Sequence, residues 1–152
     1  MVVPGITLLS RPAGIMLVNR QLRRNMLEEN TRKKIYTQEA PPPAGTYSQG
    51  IIAGGFLFIA GQGPFDLEGK KCPDTFRNET LRTLNNLESI AVAAGASIQN
   101  AVRIGVYLLD MNNFQEMNKI FIEYFSQPYP VRTTIQADLR GFQIEIDAIV
   151  KI

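Results

Sequence analysis

The residues most able to do chemistry lie near the carboxyl end of the sequence, on two segments of alternating polarity. In residues 131–139 and 142–150 apolar side chains alternate with polar ones, which is typical of β-strands because successive side chains point to opposite faces. The polar face would carry one cation, Arg132, and two acids, Glu145 and Asp147. Two interpretations are open: a surface ion pair between Arg132 and an acid, or a site that binds a ligand.

The segment between these strands predicts a β-hairpin. A turn at residues 140–141 would place Leu139 opposite Phe142 and stack apolar against apolar side chains along the pair. In this register Glu145 lies roughly 13 Å from Arg132 at the rise of a strand. That separation is too long for a direct ion pair and leaves room for a small ligand.

Composition removes several classes of chemistry. The sequence has no histidine, which excludes Ser-His-Asp and Cys-His nucleophile activation and most zinc or iron sites. Acid–base chemistry must therefore use Glu, Asp, Lys, Tyr or water. The sequence contains no glycine-rich motif of the phosphate-binding type, and no helix is predicted after the glycines of residues 61–64 that could hold a phosphate. The single cysteine, Cys72, cannot form an internal disulfide.

The charge is divided unevenly along the chain. Residues 1–34 hold seven Lys/Arg and two Glu, a net of +5, whereas residues 35–152 hold nine basic and twelve acidic residues, a net of −3. We predict a basic N-terminal extension or leader over 1–34 and a single domain over 35–152. The domain's acidic balance argues against a nucleic-acid partner. We expect no membrane span and a cytoplasmic location, with the mitochondrion as the alternative because the leader is poor in acids.

Two helices and three further strands must position the polar residues. Gly54 and Gly55 separate two short apolar runs, which indicates a hairpin. A helix is predicted from a cap at Asp74 or Thr75 to Ala94, ended by Gly95. A central strand over residues 101–109 follows it.

The second helix is predicted from Asn113, with Glu116 completing a capping box, through Phe125. The element order is then β-β-α-β-α-β-β, an α+β fold with two helices on one face of a mixed sheet. The uncovered face must meet solvent or another subunit, and its mixed polarity favours an oligomer.

An ordered series of motifs resembles the RidA/YjgF family of reactive-intermediate deaminases. The series is A-P-P-P-A-G-T-Y-S-Q-G, F-I-A-G-Q-G-P, T-L-N-N-L, A-A-G-A-S, V-Y-L-L-D-M-N-N-F, P-V-R-T-T and I-E-I-D-A. It covers residues 35–152. The resemblance implies a chorismate-mutase-like fold, a homotrimer with sites in the clefts between subunits, and hydrolysis of 2-imino acids or their enamine tautomers to 2-oxo acids and ammonia. It implies no cofactor, no metal and a small imino or oxo acid as the ligand.

The resemblance also implies roles for individual residues. Arg132 would hold the substrate carboxylate, because its planar fork donates two hydrogen bonds that lysine cannot imitate, and Glu145 would orient the attacking water. Tyr47 and Asn118 would line the cleft. Gly61 would present backbone groups to the substrate.

Two positions depart from the family pattern. Ala60 stands where the family often has serine, and Thr134 where it often has cysteine, so we expect an altered substrate preference with both residues at the substrate-binding site. Two other functions stay open: a trimeric protein that binds a carboxylate metabolite without turnover, and an RNA-acting translation inhibitor of the same family.

Overall fold

A six-stranded sheet with two helices makes up the part of the chain that the computed structural model describes, residues 31–72 and 75–152. The strands are β1 Lys33–Ile35, β2 Gly50–Ala53, β3 Phe56–Gln62, β4 Ala101–Leu108, β5 Val131–Gln136 and β6 Ile144–Lys151, and the helices are α1 Phe76–Ala93 and α2 Phe114–Tyr124. Both helices pack on one face of the sheet, which confirms the predicted α+β class. The predicted order omitted β1.

The strand order in the sheet is β1-β2-β3-β6-β4-β5. The strands pair antiparallel except β4 and β5, which are parallel and are joined by α2 as a crossover helix. The predicted hairpin between the last two strands is wrong, because β4 lies between them. The connecting segment passes over the end of β4: Ala137 N donates to Leu108 O (2.9 Å) and Leu109 N donates to Gln143 O (3.0 Å).

The predicted polar face shared by Arg132 and Glu145 is also wrong. Arg132 pairs with Ile104, which is fully buried, so Arg132 lies on the helix-covered face. Glu145 lies between the fully buried Ile144 and Ile146 on β6 and therefore points to the other face, here called the open face. The apolar residues of β5 are accordingly exposed, with Val131 at 70%.

The ends of α1 match the sequence prediction. The Thr75 side chain accepts a hydrogen bond from Asn78 N, and Gly95 follows the helix with φ of +79°, a left-handed conformation that suits glycine. Asp74, the other predicted cap, lies outside the described residues.

The capping box predicted for α2 is wrong. Asn113 makes no side-chain capping bond, because a 3-10 turn over Met111–Asn113 already gives it a helical backbone. Asp110 caps that turn by accepting a hydrogen bond from Asn112 N (2.9 Å).

One hydrophobic core joins the helices to the covered face of the sheet. Its fully buried side chains include Leu57, Leu84, Leu87, Ile90, Ile104, Leu108, Met117, Ile144 and Ile146. Truncating one of these leucines to alanine costs about 2–5 kcal/mol of folding free energy. In the described part of the chain no helix is long and apolar enough to cross a membrane. Residues 1–30 of the predicted extension lie outside the described residues. The end of the predicted extension is described, and β1 begins there, at Lys33.

Candidate active site

Arg132 is held on the helix-covered face by three side chains of α2. Its Nη2 donates to Asn118 Oδ1 (2.7 Å), and its guanidinium lies 5.6 Å from the ring centre of Phe114 and 5.2 Å from that of Phe121. The spacing along α2 places these three residues on one helical face. The guanidinium is therefore oriented by one hydrogen bond and two aromatic contacts.

Arg132 has unused hydrogen-bonding capacity. No carboxylate of the described residues forms an ion pair with it. Burial lowers the pKa of its guanidinium from the ordinary value, but arginine keeps its charge under all physiological conditions. Its remaining N–H groups can therefore bind an anion.

A cavity of about 520 Å³ opens beside Arg132. Its lining is mostly apolar and consists of Gln115, Asn118, Phe121, Ile122, Phe125, Tyr129, Pro130 and Arg132. Thr134 lies two residues along β5 on the same face, and its buried Oγ1 has no hydrogen-bond partner within the described residues. Arg132, Asn118 and Thr134 are called the Arg132 group below.

Glu145 lines a separate cavity of about 280 Å³. The other lining residues are Pro41, Pro42, Pro43, Ala44, Tyr47, Gln49, Gly61, Gln62, Gly63, Phe65, Gly69 and Phe142. Tyr47 Oη accepts a hydrogen bond from Ala44 N (3.0 Å), which holds its half-exposed ring at the cavity. Tyr47, Gly61 and Glu145 are called the Glu145 group below.

Gly61 makes room for the Glu145 carboxylate. The register of β3 against β6 shifts between Ile59 and Gln62, so a β-bulge brings Gly61 up to Glu145. A Cβ added at Gly61 would overlap Glu145 Oε1 and lie 2.9 Å from Cδ. The glycine in the sequence could indicate a close approach to another group, but not that this group is Glu145.

We expect Gly61→Ala to lower kcat/KM by about tenfold or more, because the added methyl group displaces the carboxylate and small misplacements cost large factors. Steady-state kinetics on an imino acid would measure this effect. Gly45→Ala is the matched control, since a Cβ there would only touch the Tyr47 ring at 3.7 Å. Equal kcat/KM for both variants would contradict this role of Gly61.

Two buried polar side chains fix the walls of this cavity, and sequence reasoning missed both. Gln49 Nε2 donates to the carbonyls of Ala40 and Pro41, at 3.3 and 2.9 Å, which holds the proline segment. Asn86 Nδ2 of α1 donates to the carbonyls of Gly63 and Phe65, both at 3.0 Å. A buried amide side chain needs such hydrogen-bond partners. A polar residue at a core position was therefore the signal that the sequence offered for both side chains.

The Glu145 carboxylate is half-buried and makes no hydrogen bond or ion pair with the described residues. Burial raises its pKa above the ordinary value, and the negative charge of Asp147 raises it further. Asp147 itself is bound by Arg103 Nη1 (2.7 Å) and Tyr107 Oη (2.8 Å). Glu145 is thus free to accept a hydrogen bond from water and has a raised affinity for a proton.

The predicted site residues fall into two groups on opposite faces of the sheet. The Arg132 group lies under α2, and the Glu145 group lies on the open face. Ala60 lies in the β-bulge and lines neither cavity; its N donates to Gln49 O (3.0 Å). Neither group alone offers both an anion clamp and a carboxylate for water.

The sequence model of the family described as Endoribonuclease L-PSP matches residues 37–152. This chain belongs to that family, which is also called RidA/YjgF. A RutC family protein of Pyrococcus horikoshii is 40% identical over 121 residues, which cover 78% of this chain and 96% of that protein.

Solved structures of family members share the fold. The crystal structure of RidA from Psychrobacter sp. PAMC 21119 has a TM-score of 0.74 and 34% identity, over 79% of this chain and 99% of that one. The crystal structure of E. coli TdcF with bound serine has a TM-score of 0.73 and 32% identity, over 79% and 98% of the two chains. The E. coli protein named "Putative reactive intermediate deaminase TdcF" matches at 31% identity over 123 residues, which cover 78% of this chain and 95% of TdcF. The family and its fold are therefore established for residues 37–152.

Proposed function

We propose that this protein hydrolyses 2-imino acids and their enamine tautomers to 2-oxo acids and ammonia, in sites formed between copies of the chain in a homotrimer. The observation that carries the proposal is the separation of the two groups. Within the described residues, Arg132 has free N–H groups but no water-activating carboxylate nearby, whereas Glu145 has a free carboxylate but no cation to hold a substrate. The Arg132 group of one copy and the Glu145 group of the next would complete each other.

The proposed reaction uses these groups in order. Arg132 and Asn118 hold the substrate carboxylate, and the Thr134 hydroxyl is free to donate a hydrogen bond to the same carboxylate. A water molecule donates one proton to Glu145 while its oxygen attacks the carbon of the C=N bond, and the nitrogen takes up a proton from solvent, to which the hydroxyl proton is returned in the last step. Glu145 then returns its proton to the nitrogen of the resulting hemiaminal. The C–N bond breaks, ammonia leaves, and the remaining hydroxyl loses its proton as the C=O bond forms.

Positioning supplies most of the expected acceleration, because an imine is already reactive toward water. The role of Glu145 needs only a carboxylate that accepts a proton from water. Its raised pKa makes it a stronger base than an ordinary glutamate. The activity is therefore expected to fall on the acid side, as Glu145 becomes protonated.

Binding without turnover is the second candidate function, because Arg132 and its cavity account for carboxylate binding without Glu145. An amino-acid oxidase that generates imino acids in situ separates the two, when imine decay is followed with and without the protein. Faster decay for at least one side chain supports the deaminase. Unchanged decay, together with thermal stabilisation by a 2-oxo acid that depends on Arg132 and not on Glu145, would replace it with the binding function.

The RNA-acting function has no comparable support, because both cavities are small and residues 35–152 carry a net charge of −3. The cytoplasm stays the predicted compartment and the mitochondrion the alternative, since residues 1–30 of the predicted extension, on which the choice rests, lie outside the described residues.

A further inference from the structure

Three polar side chains form a cluster on the open face beside Glu145. Asp147 Oδ1 accepts a hydrogen bond from Arg103 Nη1 (2.7 Å), and Asp147 Oδ2 accepts one from Tyr107 Oη (2.8 Å). Gly105 lies opposite Asp147 in the β4–β6 register, and a Cβ there would lie 2.5 Å from Oδ2. Glycine at this position thus lets the carboxylate lie against β4. Arg103, Tyr107 and Asp147 are called the Asp147 cluster.

Within the Asp147 cluster, Tyr107 is the hydrogen-bond donor nearest to Glu145. Tyr107 is the direct partner of Glu145 in the register, and opposite side chains of an antiparallel pair have Cβ atoms about 4.5–5.5 Å apart. Arg103 lies on the same face but opposes Ile149, four residues from Glu145 along β6, roughly 13 Å at the rise of a strand. Both donors nevertheless bind Asp147, and Glu145 has no hydrogen bond or ion pair within the described residues.

Few other charged or titratable groups face Glu145. The neighbouring strand β3 offers Gly61, which has no side chain, and the proline segment offers Tyr47. On β6 itself the facing acid is Asp147. On β4 they are Tyr107 and, through Asp147, Arg103.

We propose that Asp147 is a positioning residue of this site: by holding the hydroxyl of Tyr107, the residue opposite Glu145, it leaves the Glu145 carboxylate without a hydrogen bond beside Gly61 and the cavity. The inference rests on the proposed function of Glu145 and extends it to residues that the proposed mechanism does not use. Without Asp147 the Tyr107 hydroxyl would be free to donate to Glu145, and a carboxylate that accepts such a hydrogen bond is a weaker base.

The electrostatics of the cluster agree with this arrangement. The hydrogen bond to Asp147 raises the pKa of Tyr107, so the hydroxyl remains a protonated donor. The charge of Asp147 acts on Glu145 in the direction that favours proton uptake. Both effects depend on Asp147 being ionised.

Asp147→Asn tests the proposal, because it removes the charge and keeps the size. We expect kcat/KM to fall by about tenfold and the acid limb of the pH profile to move to lower pH. Asparagine has a single acceptor oxygen for Arg103 and Tyr107, so the Tyr107 hydroxyl becomes free to donate to Glu145. Adding Tyr107→Phe to Asp147→Asn removes the freed donor and should restore part of the lost activity. Glu123→Gln is the control: it breaks an ion pair with Arg77 on the helices and should leave the profile unchanged.

A carboxyl ¹³C titration of Glu145, assigned by the signal lost in Glu145→Gln, gives a readout that does not need activity. The pKa of Glu145 should fall in Asp147→Asn and rise in part when Tyr107→Phe is added. An unchanged pKa in Asp147→Asn, or a double variant no different from the single one, would overturn the positioning role. Absence of deaminase activity in the unmodified protein would instead overturn the proposed function, and the titration would still decide the role of Asp147.

Discussion

Arg132→Lys is expected to lower kcat/KM for imino-acid hydrolysis by about 100-fold, close to the loss in Arg132→Ala. Lysine keeps the positive charge but loses the planar fork, which binds a carboxylate through two hydrogen bonds. It also loses the contacts of the guanidinium with the rings of Phe114 and Phe121 and the hydrogen bond to Asn118, which together orient the guanidinium. The loss corresponds to about 2.7 kcal/mol of transition-state binding.

The imine-decay assay measures the effect, and Arg77→Lys is its matched control. Arg77 is an arginine on α1 that pairs with Glu123, outside both cavities. We expect the control to keep full activity. An Arg132→Lys variant with unaltered kcat/KM would show that the fork does not hold the substrate.

Glu145→Gln is expected to lower kcat by about 100-fold or more, because glutamine is nearly isosteric but cannot take a proton from water. Substrate affinity should change little, since the carboxylate clamp is Arg132. Single-turnover kinetics separate the two effects. A loss confined to KM would assign Glu145 to substrate binding and remove it from the chemical step.

The same substitution is expected to stabilise the fold at neutral pH, by less than about 1 kcal/mol because the half-exposed group is screened by solvent. Burial raises the pKa of Glu145 in the folded state, so the folded protein binds this proton more tightly than the unfolded chain. The ionised carboxylate therefore destabilises the fold as pH rises through its folded pKa. Thermal unfolding should show a gain for Glu145→Gln at neutral pH that disappears at acidic pH, and the opposite pH dependence would contradict the raised pKa.

The sequence predicted both helices and five of the six strands, but not which strands are neighbours in the sheet. The apolar periodicity of α1 and the glycines at residues 54, 55 and 95 predicted elements that the structure contains. The alternation in residues 131–150 predicted both final strands, yet the same alternation is compatible with a hairpin or with two strands that flank a third. Strand pairing is decided by packing of residues distant in sequence, here by β4 between β5 and β6.

For the same reason, the sequence did not show on which face of the sheet each site residue lies. Arg132 lies at a polar position of an alternating strand, which normally indicates the open face. It lies under α2 because its neighbour Ile104 belongs to the buried core. The resemblance to the family implied that Arg132 and Glu145 belong to one site. Because they lie on opposite faces of the sheet, one copy of the chain does not bring them together.

Complementation between two inactive chains tests the composite site most directly. Arg132→Ala and Glu145→Gln chains with different tags would be co-expressed, and assemblies that contain both would be isolated by two successive affinity steps. In the proposed cyclic trimer, any assembly that contains both chains has an intact Arg132 group facing an intact Glu145 group at one of its three interfaces, about one third of the sites. We predict recovery of about that fraction of the unmodified activity, whereas activity no higher than that of the separate variants would contradict a site shared between subunits.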